Sequence, residues 1–206
     1  MVNITKTPLF IEECSSFILP DHDTWKEKIK NIVKIERNKE VHKLSTTPEK
    51  ECNVKGGRTA WDSHYRYPAV LEVAHKIMSI IHASVLKDGF DAPKLSILNS
   101  WINWYDKNQY TDLHNHPVHI AVVYFVDTEH STSDFFFHTE DKFQLIKKNK
   151  DTLITNQIKK ITVKDGTVIF FNGGLHHSVT PNLSDKTRIT FAMNLTVDYW
   201  GKRENY

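Results

Sequence analysis

The chain has 206 residues, with 27 basic against 25 acidic residues and a net charge of +2, so bulk charge does not direct it onto nucleic acid or an anionic membrane. Hydrophobic residues make up 39% and aromatics 11%, enough large side chains to build a buried core and to argue against an unfolded chain. Cys14 and Cys52 match no paired metal or redox motif and are too few for a disulfide framework, so a reducing, cytoplasmic compartment is expected.

Met1–Phe10 lacks the basic end and apolar core of a signal peptide, and no uninterrupted apolar run is long enough to span a bilayer. The reading gives one domain over 1–206, with a helical part over 1–92 and a β part over 93–206. Lys6–Glu12 is expected as an edge strand. Asp21 or Asp23 caps a helix reaching about Ile35, with Trp25, Ile29, Ile32 and Val33 on one stripe. Residues 36–60 are polar and carry Thr47-Pro48 and Gly56-Gly57, which reads as a long loop. Pro68 opens a second helix whose stripe is Val70, Val73, Ala74, Ile77, Ile80, Ile81 and Val85, ending at Gly89.

After Pro93 short apolar runs alternate with turn residues, predicting strands near 95–105, 119–126, 133–138, 143–146, 158–163, 167–172, 175–180 and 187–197. Eight strands preceded by helices predict a mainly β fold with N-terminal helices, a double-stranded β-helix (jelly roll) buttressed by two α-helices.

Three segments of the β part carry chemistry. In Asp112-Leu-His114-Asn-His116-Pro117 the two histidines point the same way if the backbone is extended, and two imidazoles on one face can hold one transition metal. In Leu175-His176-His177-Ser178-Val179 parity puts His177 inward with Leu175 and Val179, and His176 outward. In Arg188-Ile-Thr190-Phe-Ala192-Met-Asn194 one face is apolar and the other is polar and small with a fixed cation. If that second face lines a cavity, Arg188 needs an anion, and a carboxylate held by its planar fork beside the Thr190 hydroxyl is the natural partner.

Together these segments resemble the 2-oxoglutarate/Fe(II)-dependent oxygenases. The resemblance is nearest to a phage-associated subgroup related to the prolyl hydroxylases. It rests on Ser100-Trp-Ile-Asn103-Trp-Tyr105, His114-Asn-His116-Pro117, Ala121-Val-Val-Tyr124-Phe125, Phe171–Asn182 and Arg188–Asn194, about half the chain; Trp61-Asp62-Ser63 adds a weaker match. The resemblance implies Fe(II) and 2-oxoglutarate as cofactors and hydroxylation of a C–H bond of a protein or peptide side chain, with O2 consumed and CO2 and succinate released. No nucleic-acid or membrane partner is implied. The location would be the host cytoplasm if the chain is phage-encoded. It assigns His114, His116 and His177 to the metal, and Arg188 with Thr190 to the far carboxylate. Asn103, Tyr105 and Tyr124 are further candidates for contact with the keto acid, while Trp101 reads as core.

The chain departs from the family's commonest pattern, because His116 stands where a carboxylate is usual. A two-histidine site completed by water, Asp112 or Glu140 therefore remains an alternative. A cupin-like metal-binding protein or isomerase without 2-oxoglutarate chemistry is the competing function. It lacks its expected acid in Val118–Val123 and leaves Arg188 unexplained. Residues 36–60 and 127–133 are the expected lid loops over the site.

Overall fold

Residue alternation along the strands decides what each side of the β part faces. The computed structural model describes residues 2–9, 12–39, 53–87, 94–128, 134–138, 145–148, 151–154 and 158–199. In chain order these residues form β1 (Thr5–Leu9), β2 (Glu12–Ile18), α1 (His22–Arg37), β3 (Val54–Lys55), β4 (Gly57–Arg58), α2 (Ser63–Arg66), α3 (Pro68–Lys87) and β5 (Lys94–Tyr105). They continue with β6 (Tyr110–His114), β7 (Ile120–Asp127), β8 (Phe135–His138), β9 (Leu145–Lys148), β10 (Asp151–Ile154), β11 (Ile158–Ile161), β12 (Thr167–Asn172), β13 (His176–Val179) and β14 (Arg188–Tyr199). A seven-stranded sheet runs β1-β2-β12-β7-β14-β5-β4, and a five-stranded sheet runs β11-β8-β13-β6-β3. The ladders are antiparallel, the arrangement of a jelly roll.

The helices cover the outer face of the larger sheet. In α1 Ile29, Ile32 and Val33 are buried, and in α3 Val70, Val73, Ala74, Ile77 and Ile81 are buried. These meet Ile102 and Trp104 of β5, Val122, Tyr124 and Val126 of β7, and Ile189, Phe191, Met193 and Leu195 of β14 in one core cluster. Each fully buried Val, Leu, Ile or Phe contributes roughly 1.5–3 kcal/mol. Pro68–Leu86 is apolar enough on average to cross a bilayer, at a mean hydropathy of 1.4. Its apolar stripe is nevertheless the face packed on the sheet. A second, smaller cluster lies between the sheets around Phe125, Phe135, Phe137, Ile169 and Phe171.

Several expectations change. Asp21 holds the helix start in a left-handed conformation (φ 58°) and makes no side-chain cap; its carbonyl accepts from the Thr24 and Trp25 amides instead. The expected edge strand is β1, but β2 behind it was missed: its Glu-Glu-Cys-Ser-Ser run looks polar, yet Cys14 and Phe17 are buried by pairing with β12. Residues 36–60, read as one loop, contain the end of α1 and the short strands β3 and β4, which pair with β6 and β5. Residues 40–52, 88–93, 129–133 and 139–144 lie outside the described residues, and with them most of both expected lids and Glu140.

Candidate metal centre

The site begins with strand register. His177 of β13 sits directly opposite His114 of β6. His116 follows just beyond the end of β6, where its amide donates to the Gly173 carbonyl at 2.8 Å. Gly173 has no room for a side chain, since a Cβ there would collide with the Val118 carbonyl. The turn between β12 and β13 can therefore close onto the His116 loop and bring the three imidazoles together. One ring nitrogen from each of His114, His116 and His177 lies within 4.8 Å of the others.

Hydrogen bonding sets which nitrogens face inward. His114 Nδ1 lies 2.8 Å from the Asp112 carbonyl and His177 Nδ1 lies 2.9 Å from the Leu175 carbonyl. A carbonyl only accepts, so both rings carry their proton on Nδ1 and present the Nε2 lone pair. His116 differs: its Nδ1 meets the Asn194 side-chain amide at 3.3 Å. An amide can offer either its oxygen or its nitrogen, so this partner suits both tautomers.

The electrostatics favour neutral imidazoles. Burial pushes the His177 pKa well below its ordinary value, with His114 adding to the effect. Burial, then the proximity of His114, lowers His116 to about 4. Burial also lowers His114. Three neutral rings with converging lone pairs can ligate a divalent transition metal. Asp112 is not placed to replace one of them: its carboxylate lies 3.4 Å from Lys55 Nζ, and only its carbonyl serves the site.

The three histidines open on a cavity of about 220 Å³ between the sheets. Trp101, Asn103 and Tyr105 of β5 and Arg188, Thr190 and Ala192 of β14 line it. Arg188 is 1% exposed, and its Nε and Nη1 have no hydrogen-bond partner among the described residues. Burial lowers its pKa to about 10, so it stays charged at neutral pH. A buried guanidinium without a counter-ion is costly, and its cost is relieved by an anion entering the cavity. Asn103 Nδ2 reaches the Thr190 hydroxyl at 3.4 Å while its Oδ1 has no hydrogen-bond partner among the described residues, and the Tyr105 hydroxyl meets Thr111 at 2.9 Å. The residues present therefore suit a metal at one end of the cavity and a carboxylate at the other.

Tyr124, expected at the keto acid, is on the wrong face. It points into the helix-side core, where its hydroxyl lies 2.7 Å from His22 Nδ1, while its neighbour Val123 lines the cavity. Because both faces of β7 are buried, the sequence carries no alternation to fix the register. Trp101, expected in the core, lines the cavity and stacks on His116 with centroids 5.8 Å apart and planes at 27°. The signal was available, because Trp101 shares parity with Asn103 and Tyr105. Asn194 and Trp61 were assigned no role from sequence. Asn194 continues the Arg188-Thr190-Ala192 face, whereas the position of Trp61 depends on tertiary pairing.

Comparison with known proteins bears on the same residues. Residues 99–194 match the model of the family described as "Putative 2OG-Fe(II) oxygenase". No curated protein matches the chain in sequence. Among solved structures, HygX from Streptomyces hygroscopicus, with nickel, 2-oxoglutarate and hygromycin B bound, is similar at a TM-score of 0.60 and 12% identity, over 90% of this chain and 83% of that one. A Pseudomonas putida prolyl-4-hydroxylase is similar at a TM-score of 0.58 and 10% identity, over 97% of this chain and 95% of that one. An oxidoreductase of the 2OG-Fe(II) oxygenase family from Burkholderia pseudomallei aligns at a TM-score of 0.41 and 15% identity, over 54% of this chain and 49% of that one. The chain thus spans about half the length of that relative.

Proposed function

We propose that this chain, whose residues 99–194 match the model of the 2OG-Fe(II) oxygenases, hydroxylates a C–H bond of a protein or peptide side chain in the manner of a prolyl hydroxylase. The observation that carries the reading is the pairing, in one cavity, of three convergent neutral imidazoles with a buried guanidinium whose Nε and Nη1 have no hydrogen-bond partner among the described residues. The cupin-like alternative accounts for the first feature and not for the second.

In this reading His114, His116 and His177 hold Fe(II). The Nδ1–H groups of His114 and His177 stay on their carbonyls and keep both rings aimed. Arg188 receives the far carboxylate of 2-oxoglutarate and Thr190 supplies a hydroxyl beside it, with Asn103 and Tyr105 as flanking contacts. Bound together, Fe(II) and 2-oxoglutarate supply O2 activation coupled to release of CO2 and succinate. The chain's own contribution is orientation and an apolar border: Phe135, Val179 and Trp101 line the cavity beside the three histidines. Support for a prolyl substrate comes from the similarity to a prolyl-4-hydroxylase. The absence of paired metal or disulfide cysteines supports a cytoplasmic location, and 1–206 is read as one domain.

The test is succinate formation from 2-oxoglutarate by the Fe(II)-loaded chain. Turnover that requires added Fe(II) and is lost in His177→Ala is expected. A chain that binds iron yet converts no 2-oxoglutarate would favour the cupin-like alternative.

A further inference from the structure

Between β13 and β14 the chain runs through residues 180–187 without regular structure, and connections of this kind ordinarily lie on the surface with their polar side chains in water. Asn182 is the exception, at 0% exposure. Its carboxamide Nδ2 donates to the Tyr105 carbonyl at 3.0 Å and to the Lys186 carbonyl at 2.8 Å, while Oδ1 accepts from the Ser184 amide at 3.1 Å. Its backbone amide donates to the Gln109 carbonyl at 2.9 Å, and its carbonyl accepts from the Asn108 amide at 2.7 Å. Two carbonyl partners require the NH2 group on one side, and an amide partner requires the oxygen on the other, so the carboxamide has one orientation. One residue thus ties together the end of β5, the turn between β5 and β6, and the approach to β14.

The strand ends it joins are the ones that present the cation of the cavity. Tyr105 is the last residue of β5, Arg188 is the first of β14, and the two are direct partners in the ladder. The guanidinium carbon of Arg188 lies 5.7 Å from the centroid of the Tyr105 ring. Element ends are where native structure opens most easily, and a buried guanidinium gains hydration by leaving the cavity. Fraying at Arg188 would therefore remove the cation from its place. On the solvent side Arg37 Nη2 and the Thr187 hydroxyl both donate to Asp106 Oδ1 at 2.7 Å, but the side chains of Arg37 and Asp106 are 36% and 46% exposed, and water weakens such a link. The buried tie is Asn182. It does not line the cavity, so it reaches a ligand only through Arg188 and Tyr105.

We infer that Asn182 is a positioning residue that holds the Arg188 guanidinium in the cavity beside Tyr105, so that the far carboxylate of the keto acid meets a preformed cation. The inference rests on the reading of Arg188 as the receiver of 2-oxoglutarate and adds the residue that keeps it in place. The test titrates 2-oxoglutarate into the full chain loaded with Ni(II), for wild type, Asn182→Asp, Arg188→Met and the double variant. Asn182→Asp keeps the shape and the acceptor for Ser184 but cannot donate to the Tyr105 and Lys186 carbonyls. It should lose roughly tenfold in 2-oxoglutarate affinity, with Ni(II) affinity as in wild type. In the Arg188→Met background the same change should cost nothing further, because the cation it positions is gone. Ile77→Ala in the helix-side core should lower thermal stability and leave 2-oxoglutarate affinity at the wild-type value. If Asn182→Asp does not fold, Asn182→Ser, which retains one donor, carries the same comparison. Wild-type 2-oxoglutarate affinity in the folded Asn182 variant, a loss that persists undiminished in the Arg188→Met background, or failure of both Asn182 variants to fold would overturn the inference and leave the hydroxylase reading standing. A wild-type chain that takes up Ni(II) but no 2-oxoglutarate, or an Arg188→Met chain that binds 2-oxoglutarate as wild type does, would overturn both.

Discussion

The two faces of β5, β7 and β14 are built from alternate residues of the same strands, yet they obey different rules. On the helix side Ile102, Trp104, Val122, Tyr124, Val126, Ile189, Phe191, Met193 and Leu195 join one apolar core, and the hydroxyl of Tyr124 has a partner in His22. On the cavity side Asn103 Oδ1 and Arg188 Nε and Nη1 are buried without hydrogen-bond partners among the described residues. Trp25 Nε1 and His64 Nε2 are also buried without hydrogen-bond partners among the described residues, but neither residue lines this cavity. One face has what folding requires. The other carries polar groups that folding alone would reject, and a ligand is the physical reason to retain them.

Exchanging the two kinds of damage should separate them. Phe191→Ala empties the helix-side core and should cost about 3–5 kcal/mol of stability. The metal affinity of the chains that remain folded should be kept. His177→Ala should do the reverse. It should lower metal affinity by more than the ~10–100-fold typical of losing a ligand's hydrogen-bond partner, because a ligand itself is removed. Calorimetric metal titration and chemical denaturation of both variants check the pair; metal loss in Phe191→Ala at full folding would merge the two faces.

His116 sharpens the comparison. His116→Ala should weaken iron binding strongly, whereas His116→Asp should retain it, because a carboxylate then fills the coordination position. If His116→Ala binds iron as tightly as wild type, the metal is held by two histidines only. Removing the Asn194 amide should act more weakly, with Asn194→Leu reducing metal affinity by roughly tenfold through loss of the partner to His116 Nδ1. Asn194→Asp, which retains an acceptor, should restore most of it.

The smallest effect expected is on the pH response. Imidazoles with ordinary values would surrender a metal as pH falls below ~6.5. Here the folded values are lowered by burial, His116 to about 4. Metal affinity of the folded chain should therefore fall less steeply below pH ~6.5 than it would for ordinary imidazoles. Stability of the metal-free chain should behave differently. Below pH ~6.5 the unfolded chain takes up protons that the folded chain refuses, so stability is full above that pH and declines as pH falls toward the lowered folded values. Denaturation midpoints and metal titrations across this range check both statements.

The sequence was most legible where chemistry and parity coincide. His114, His177, Arg188 and Thr190 stand on strands with one distinct face; parity turned His177 inward and put Arg188 and Thr190 on one face, and the family resemblance, not spacing, joined them in one site. It was least legible where both faces are buried. Ile120–Asp127 has no alternation, and Tyr124 was therefore placed at the keto acid although it packs under α1. Trp101 was assigned by residue type rather than by parity with Asn103 and Tyr105. Trp61 reaches the cavity only because its carbonyl pairs with the Ser100 amide across 39 positions, a contact that no local pattern announces. The polar run of β2 concealed a strand for the same reason, since its burial depends on β12.

The central claim is that the orphaned cation at Arg188 exists to receive 2-oxoglutarate. The most direct test is anaerobic titration of 2-oxoglutarate into the Fe(II)-loaded chain, for wild type and Arg188→Met, with thermal stability measured alongside. Wild type should bind one equivalent. Arg188→Met should lose at least ~100-fold in affinity, about the value of a buried charge-assisted pair, while matching or exceeding wild-type stability, because an unpaired buried charge has been removed. Unchanged 2-oxoglutarate affinity in Arg188→Met, or loss of affinity together with loss of the fold, would contradict the assignment and make Arg188 a structural residue.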